Sequence, residues 1–391
     1  MTPGEPRLLI DRQEKLRLTL GQTNDARAET IANTLAQHQG LQSLGQAQKL
    51  FTSLDADFNG LGLLERFVAD PRVTDVLVDP DGKVWVDGHE GLQLQETAPI
   101  PEPVRRQLAA KIISNAGKRL DESVPFADVN CGRYRFHAVI PPISPGGTTI
   151  SIRVHRAQTP GLDTLQQSWL DADVWTAVIT KLITGRHNFL ITGATGTGKT
   201  TLLSAALGLV SPQERILIVE DAQELNPGHP QTLSLQTRPP NIEGSGTVGL
   251  SELIRQALRM RPDRLIVGEC RGSEVKDFLT AMNTGHSGAG GTLHANSIAG
   301  VPARLTAMGA LAGMNPETTA LQAGSALEYI IHLKRVGQRR FPAEFAQLES
   351  RDQRLVVYPL LSYQEESTGA EPLLRSGPSW TEFARSLEVE S

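Results

Sequence analysis

The chain has 391 residues, enough for two or three domains that each bury a core. Apolar residues make up 39% and charged residues 21%, and the net charge of -5 excludes a uniformly basic, polyanion-coating protein. Cys131 and Cys270 are the only cysteines and are not at CxxC spacing, which removes a thiolate zinc knuckle and a disulfide framework. The N-terminus, MTPGEPRLLIDRQEKLRLTL, lacks the apolar core of a signal peptide, and no apolar run reaches the ~18 residues of a spanning helix. The expectation is a cytoplasmic chain whose membrane contacts are peripheral, with no direct nucleic acid binding.

Residues 1–55 read as a short helical segment, with Ile31 and Leu35 four apart and Leu41 and Leu44 three apart. Residues 56–155 read as one α+β domain. In it Val76, Val78, Val84 and Val86 alternate across an Asp81-Gly82 turn, which predicts a hairpin. A helix over 103–117 steps through Val104, Leu108 and Ile112, and β character returns over 133–140 and 148–154. Between these, Pro141-Pro142 and Gly146-Gly147 break the backbone. A linker over 156–165 contains Thr159-Pro160-Gly161. From 166 to 363 the pattern alternates strand and helix, the signature of an α/β domain with a mainly parallel sheet covered by helices. Strands are predicted over 188–192, 215–220, 264–268, 291–294 and 328–334, and helices over 199–209, 251–261 and 273–284. The last helix carries Val275, Phe278, Leu279 and Met282 on one face and stops at Gly285. Residues 364–391, with Ser, Gly, Pro and Glu prominent, read as a C-terminal tail.

Gly193, Ala194, Thr195, Gly196, Thr197, Gly198, Lys199 and Thr200 match G-x-x-x-x-G-K-[ST] without a gap, and Thr201 follows in the predicted helix. Glycines let backbone N–H groups wrap phosphate oxygens that a Cβ would obstruct. Lys199 is then expected on the β- and γ-phosphates, and the Thr200 hydroxyl on Mg²⁺. A strand precedes the motif and a helix follows, so the phosphates lie at a helix N-terminus. The expected cofactors are ATP and Mg²⁺, and the reaction is hydrolysis.

Two further apolar strands end in carboxylates, Glu220-Asp221 and Glu269. In a parallel sheet these termini share the edge of the P-loop, which gathers Glu220, Asp221 and Glu269 near the γ-phosphate. Glu269 fits the acid that closes a Walker B strand and helps hold Mg²⁺. Glu224 is a candidate to orient or deprotonate the attacking water. Either of these acids can instead do no more than cap the next helix. His286 and His294 flank a glycine-rich turn in the stretch TGHSGAGGTLHAN. They lack a third zinc ligand, so they are either turn histidines or sensors of the γ-phosphate.

The segments GATGTGKT, RILIVEDAQEL, LRMRPDRLIVGECRG and TGHSGAGGTLHAN, in that order, resemble the Walker A, Asp, Walker B and His boxes of the type II/IV secretion ATPase superfamily. The likeness covers roughly residues 60–360, including RFHAVIPPIS and TTISIRVHR, and is nearest to the tight-adherence pilus branch often labelled conjugal-transfer-associated. It implies a RecA-like P-loop domain preceded by a smaller, PAS-like α+β domain, arranged in homohexameric rings. It also implies that arginines of the smaller domain stabilise phosphate charge, which on matching positions are Arg135 and Arg153. By the same carry-over Glu224 and Glu269 become the catalytic acidic pair, and His286 and His294 the His-box residues. The implied partners are inner-membrane platform proteins of a pilus or secretion system, met at the cytoplasmic face. The four-cysteine zinc module of many pilus-extension members is absent. A conjugation-associated DNA-transfer ATPase is the alternative, against which the acidic balance counts. A small-molecule kinase is a third reading, in which the paired Asp and His boxes have no place.

Overall fold

A computed structural model describes residues 60–70, 72–88, 91–154, 159–238, 246–337, 339–364 and 373–388. The expected helical segment 1–55 lies outside the described residues. The chain divides into two compact units, Met1–Arg156 and Ala157–Ser391.

In the first unit a 3-10 turn, Gly62–Leu64, runs into α1 (Glu65–Val68), followed by β1 (Asp75–Val78), β2 (Val84–Asp87) and β3 (Gln93–Leu94). Next come α2 (Glu102–Asn115), β4 (Phe126–Cys131), β5 (Tyr134–Val139) and β6 (Thr149–Val154). The strands form an antiparallel sheet in the order β3-β2-β1-β6-β5-β4. The expected hairpin is present, with Val76 opposite Val86 and Val78 opposite Val84. Alternation turns Val76, Phe136, Ile150 and Ile152 into the core under α2, while Ser151 and Arg153 face outward.

The α2 face is rotated by one residue from the expected one. Val104 is 39% exposed, and the buried stripe runs Arg105, Leu108, Ala109, Ile112, Ile113. An arginine can head this stripe because four acceptors meet it: the carbonyls of Thr148, Ile100 and Pro80 and the Glu102 carboxylate.

The second unit opens with α3 (Leu162–Leu165) and α4 (Ala172–Thr184). There follow β7 (Phe189–Gly193), α5 (Lys199–Leu207), β8 (Ile216–Glu220), β9 (Thr232–Gln236), α6 (Leu250–Ala257) and β10 (Arg264–Cys270). Then come α7 (Val275–Asn283), β11 (Gly290–His294), α8 (Val301–Leu311), α9 (Pro316–Ala326), β12 (Tyr329–Val336), β13 (Arg339–Arg351), β14 (Arg354–Gln364), β15 (Leu373–Ser376) and α10 (Trp380–Glu388). The sheet order is β15-β14-β13-β12-β7-β11-β10-β8-β9. Pairing is parallel from β12 through β9 and antiparallel from β12 to β15.

Both faces of this sheet are covered. Ile216, Ile218, Ile266, Phe189 and Ile191 pack on one side, and Leu217, Val219, Leu265, Val267 and Leu190 on the other. That double burial explains why the strands read as unbroken apolar runs. Helices α4, α8 and α9 and strand β9 are additional to the elements expected from the sequence. β9 escapes a pattern search because TLSLQ is a half-exposed edge strand.

Two segments expected to be connective are folded onto this unit. Leu162, inside the expected linker, is buried in its core. Within the expected tail, β15 pairs with β14, and Phe383 of α10 packs on the rings of Tyr329, Phe345 and Trp380. The polar composition of 364–391 hides these few aromatic anchors, which are enough to dock a short helix.

Candidate nucleotide site

The P-loop occupies the turn between β7 and α5, and two of its glycines are demanded by the backbone. At Gly193 (φ 151) a Cβ would stand 2.7 Å from Thr197 Oγ1 and 2.8 Å from the Leu333 carbonyl. Gly198 (φ 93) is the left-handed N-cap of α5, so Lys199 and Thr200 begin the helix with their N–H groups open to an anion. The Thr197 hydroxyl donates to Ala194 O at 2.9 Å and closes the loop on itself.

Lys199 Nζ donates to the Gly193 and Ala194 carbonyls, each at 3.0 Å, and lies 3.3 Å from His294 Nδ1. Burial holds this ammonium below the ordinary lysine value, and the Glu269 carboxylate opposes that shift. His294 is brought here by register, because it is the Cα partner of Gly193 across β11 and β7. Burial, and then the charge of Lys199, depress its imidazole below the usual histidine range, so it is neutral at pH 7. His294 Nε2 lies 2.9 Å from Glu269 Oε1, close but off the line of a hydrogen bond, and that buried oxygen has no hydrogen-bond partner. The second Glu269 oxygen pairs with Arg271, whose N–H and that of Gly272 are held by the Glu274 carboxylate. A row therefore runs Lys199–His294–Glu269–Arg271 along the C-terminal edge of the sheet.

The other expected acids divide. Thr200 Oγ1 donates to Glu224 Oε2 at 3.4 Å, so Glu224 reaches the loop. Glu220 does not face it. One Glu220 oxygen accepts the N–H groups of Glu224 (3.2 Å) and Leu225 (3.0 Å), and the other is buried without a partner. Burial pushes its carboxyl up to about 7. It packs so tightly on β10 that a Cβ at Gly268 would stand 2.5 Å from Glu220 Cγ. Asp221 turns toward the end of β9, where the Thr237 hydroxyl meets its carbonyl and carboxylate. The expected trio at the γ-phosphate is thus corrected: Glu269 and Glu224 stand by the loop, while Glu220 holds the turn that delivers Glu224.

The two histidines also part. His286 precedes Gly290, the partner of Phe189 at the start of β7, so within the chain it belongs to the opposite edge from His294. There His286 Nδ1 lies 3.2 Å from the Ala281 carbonyl near the end of α7.

Arg135 and Arg153 belong to the first unit, where they are direct partners on the outer face of β5 and β6. Arg135 pairs with Asp128 at 2.7 Å and Arg153 with Asp75 at 3.1 Å. With His137 and Ser151 they line a cavity of about 260 Å³. Sequence reasoning passed over Arg271, although it stands two residues after Glu269 in the same motif. It also passed over Arg335 and Arg340, which only the pairing of β12 with β7 brings to the loop.

Whether magnesium fits depends on what these residues offer. Among the described residues no cluster of three His, Cys, Asp or Glu is poised to hold a metal. A P-loop cation needs no such cage, being held by one hydroxyl, one or two carboxylates, phosphate oxygens and water. Thr200 and Glu269, the latter with an unpartnered buried oxygen, fit that need.

The chain is similar to several known proteins. Residues 115–354 match the family model described as type II/IV secretion system protein. A Mycobacterium tuberculosis protein, provisionally named as a conjugal transfer protein, is 42% identical over 83% of this chain and 96% of its own length. The conjugal transfer protein TrbB of Rhizobium radiobacter is 30% identical over 72% of this chain and 85% of its own. The crystal structure of the pilus retraction motor PilT with bound ADP shares the fold, with a TM-score of 0.52 and 20% identity over 76% of this chain and 82% of that one. A P-loop with its acids and histidine on one sheet edge, within a match covering more than half the chain, makes this protein a nucleotide-binding ATPase of the type II/IV secretion system protein family.

Proposed function

We propose that this chain is a Mg-dependent motor ATPase that works as a homohexamer at the cytoplasmic face of the inner membrane, driving the platform proteins of a pilus or secretion machine. The observation that carries the reading is the convergence of Lys199, Thr200, Glu224, Glu269 and His294 on one loop. Thr200 and Glu269 would hold Mg²⁺, which would neutralise phosphate charge when bound. Lys199 leaves its own loop carbonyls to hold the β- and γ-phosphates. Glu224 orients the attacking water and accepts its proton. His294, neutral, donates from Nε2 toward Glu269 or the γ-phosphate and so reports which is present. Arg135 and Arg153 add charge stabilisation on the phosphates. No helix among the described residues is long and apolar enough to cross a membrane.

The decisive measurement is ATP turnover together with light scattering. Wild type is expected to hydrolyse ATP and to form hexamers on nucleotide addition, and Lys199→Ala to bind no nucleotide. A strict monomer at all concentrations sinks the motor reading. The names of the two relatives favour a second reading, an ATPase serving conjugal DNA transfer. A salt-sensitive shift of DNA mobility with the purified chain would move the proposal there.

A further inference from the structure

The far side of the P-loop carries a second set of charges. Leu333 is the partner of Gly193, so Lys334, Arg335 and Val336 of β12 continue beyond the strand edge beside the loop. The chain returns through Arg339 and Arg340 of β13, with Arg335 and Arg340 directly opposite one another. Both side chains cover the loop. Arg340 Nε donates to Gly196 O at 2.9 Å, and its Cδ lies 3.5 Å from where a Gly198 Cβ would stand. Arg335 Nη1 lies 3.7 Å from the same point on Gly196, and its Nε donates to Gly337 O at 3.0 Å.

Their side of the loop identifies what they meet. β11, β10 and β8 flank β7 on one side and bring His294, Glu269 and the Glu220 turn, where the γ-phosphate and its water belong. β12 and β13 flank it on the other, so a nucleotide whose γ end lies among the acids presents its inner phosphates to the hairpin. We infer that Arg335 and Arg340 are a clamp, supplied by the same chain as the P-loop, for the α- and β-phosphates that ADP and ATP share. The inference rests on the nucleotide-site reading above. Guanidinium forks suit phosphate oxygens, and the strand pairing pre-positions both.

The test is equilibrium binding of fluorescent ADP, with unlabelled ATP as competitor, to the full chain and variants confirmed folded by thermal unfolding. Arg340→Ala and Arg335→Ala are each expected to weaken ADP and ATP alike, by about tenfold. Arg340→Lys, which keeps the charge but not the fork, should recover part of that loss. Arg340→Gln, which can still donate to Gly196 O, should not. Wild-type ADP affinity in both alanine variants overturns the clamp. Loss confined to ATP would move these residues to the γ-phosphate, and full rescue by Arg340→Gln alone would reduce Arg340 to a prop for the loop; either result rejects it. Normal binding by Lys199→Ala would instead overturn the underlying site.

Discussion

The nine-stranded sheet gathers its charges into a buried fork where its strands begin and strings them out where they end. At the start of β10, Arg264 is 1% exposed and gives Nε and Nη2 to the two oxygens of Glu214, at 2.8 and 3.1 Å. Arg186 adds to the same carboxylate, and the 286–288 turn lies against the Arg264 guanidinium. At the other end Lys199, His294, Glu269 and Arg271 form a line around a glycine loop, with one Glu269 oxygen left without a hydrogen bond. Each end keeps one buried atom without a hydrogen bond, Arg264 Nη1 at the first and Glu269 Oε1 at the second. The forked pair at the first is closed within the chain and fixes geometry, whereas the line at the second surrounds a glycine loop whose N–H groups suit an anion. The same sequence motif supplies one histidine to each end.

Breaking each end should therefore injure a different property. Glu269→Gln is expected to lower kcat by about 10³-fold while nucleotide affinity and Tm hold, read by steady-state kinetics and calorimetry. Turnover at the wild-type rate would remove Glu269 from the chemistry. Arg264→Ala should do the reverse, costing about 3 kcal/mol of stability in denaturant titration because Glu214 loses its buried forked partner and keeps only Arg186. A stable variant with poor turnover would mean that the Arg264 end serves the chemistry and not the fold.

Glu220 sharpens the contrast through pH. Its folded carboxyl titrates near 7 against 4.5 for the ordinary group, so the folded protein holds the extra proton between those values. Stability from this group is thus complete below about 4.5 and is lost as pH rises through about 7, a swing of about 3 kcal/mol. Glu220→Gln should flatten that dependence between pH 5 and 8.5, in urea melts, and keep an acceptor for the Glu224 and Leu225 N–H groups. Identical slopes in the two proteins would mean that Glu220 does not titrate there.

The smallest effect divides the histidines. His294→Ala is expected to slow turnover about tenfold, and His286→Ala to leave the turnover of the isolated chain within about twofold. Equal losses in both would place His286 at a site completed by something other than its own P-loop.

Much of the catalytic edge was legible because its signals are local. Gly193 and Gly198 are required by backbone shape within eight residues, and Glu269 closes an apolar run that can only be a buried strand. The rotation of α2 from Val104 to Arg105 was not legible, since a buried arginine becomes tolerable only when carbonyls from three separate segments arrive. Residues 364–391 misled for a similar reason: Trp380 and Phe383 count for little in composition and for much once Tyr329 and Phe345 stand beside them.

What the sequence determined by itself was the phosphate loop, the alternation of strand and helix, and the order of the four motifs, all properties of short runs of chain. Tertiary structure alone decided which of the like residues meet. His294 joins Lys199 and His286 does not, Glu224 reaches Thr200 while Glu220 supports it, and Arg335 and Arg340 cover the loop from more than 130 residues away. The reason is register: one strand pairing fixes the edge at which every neighbouring side chain emerges, and that pairing is not written in any one segment.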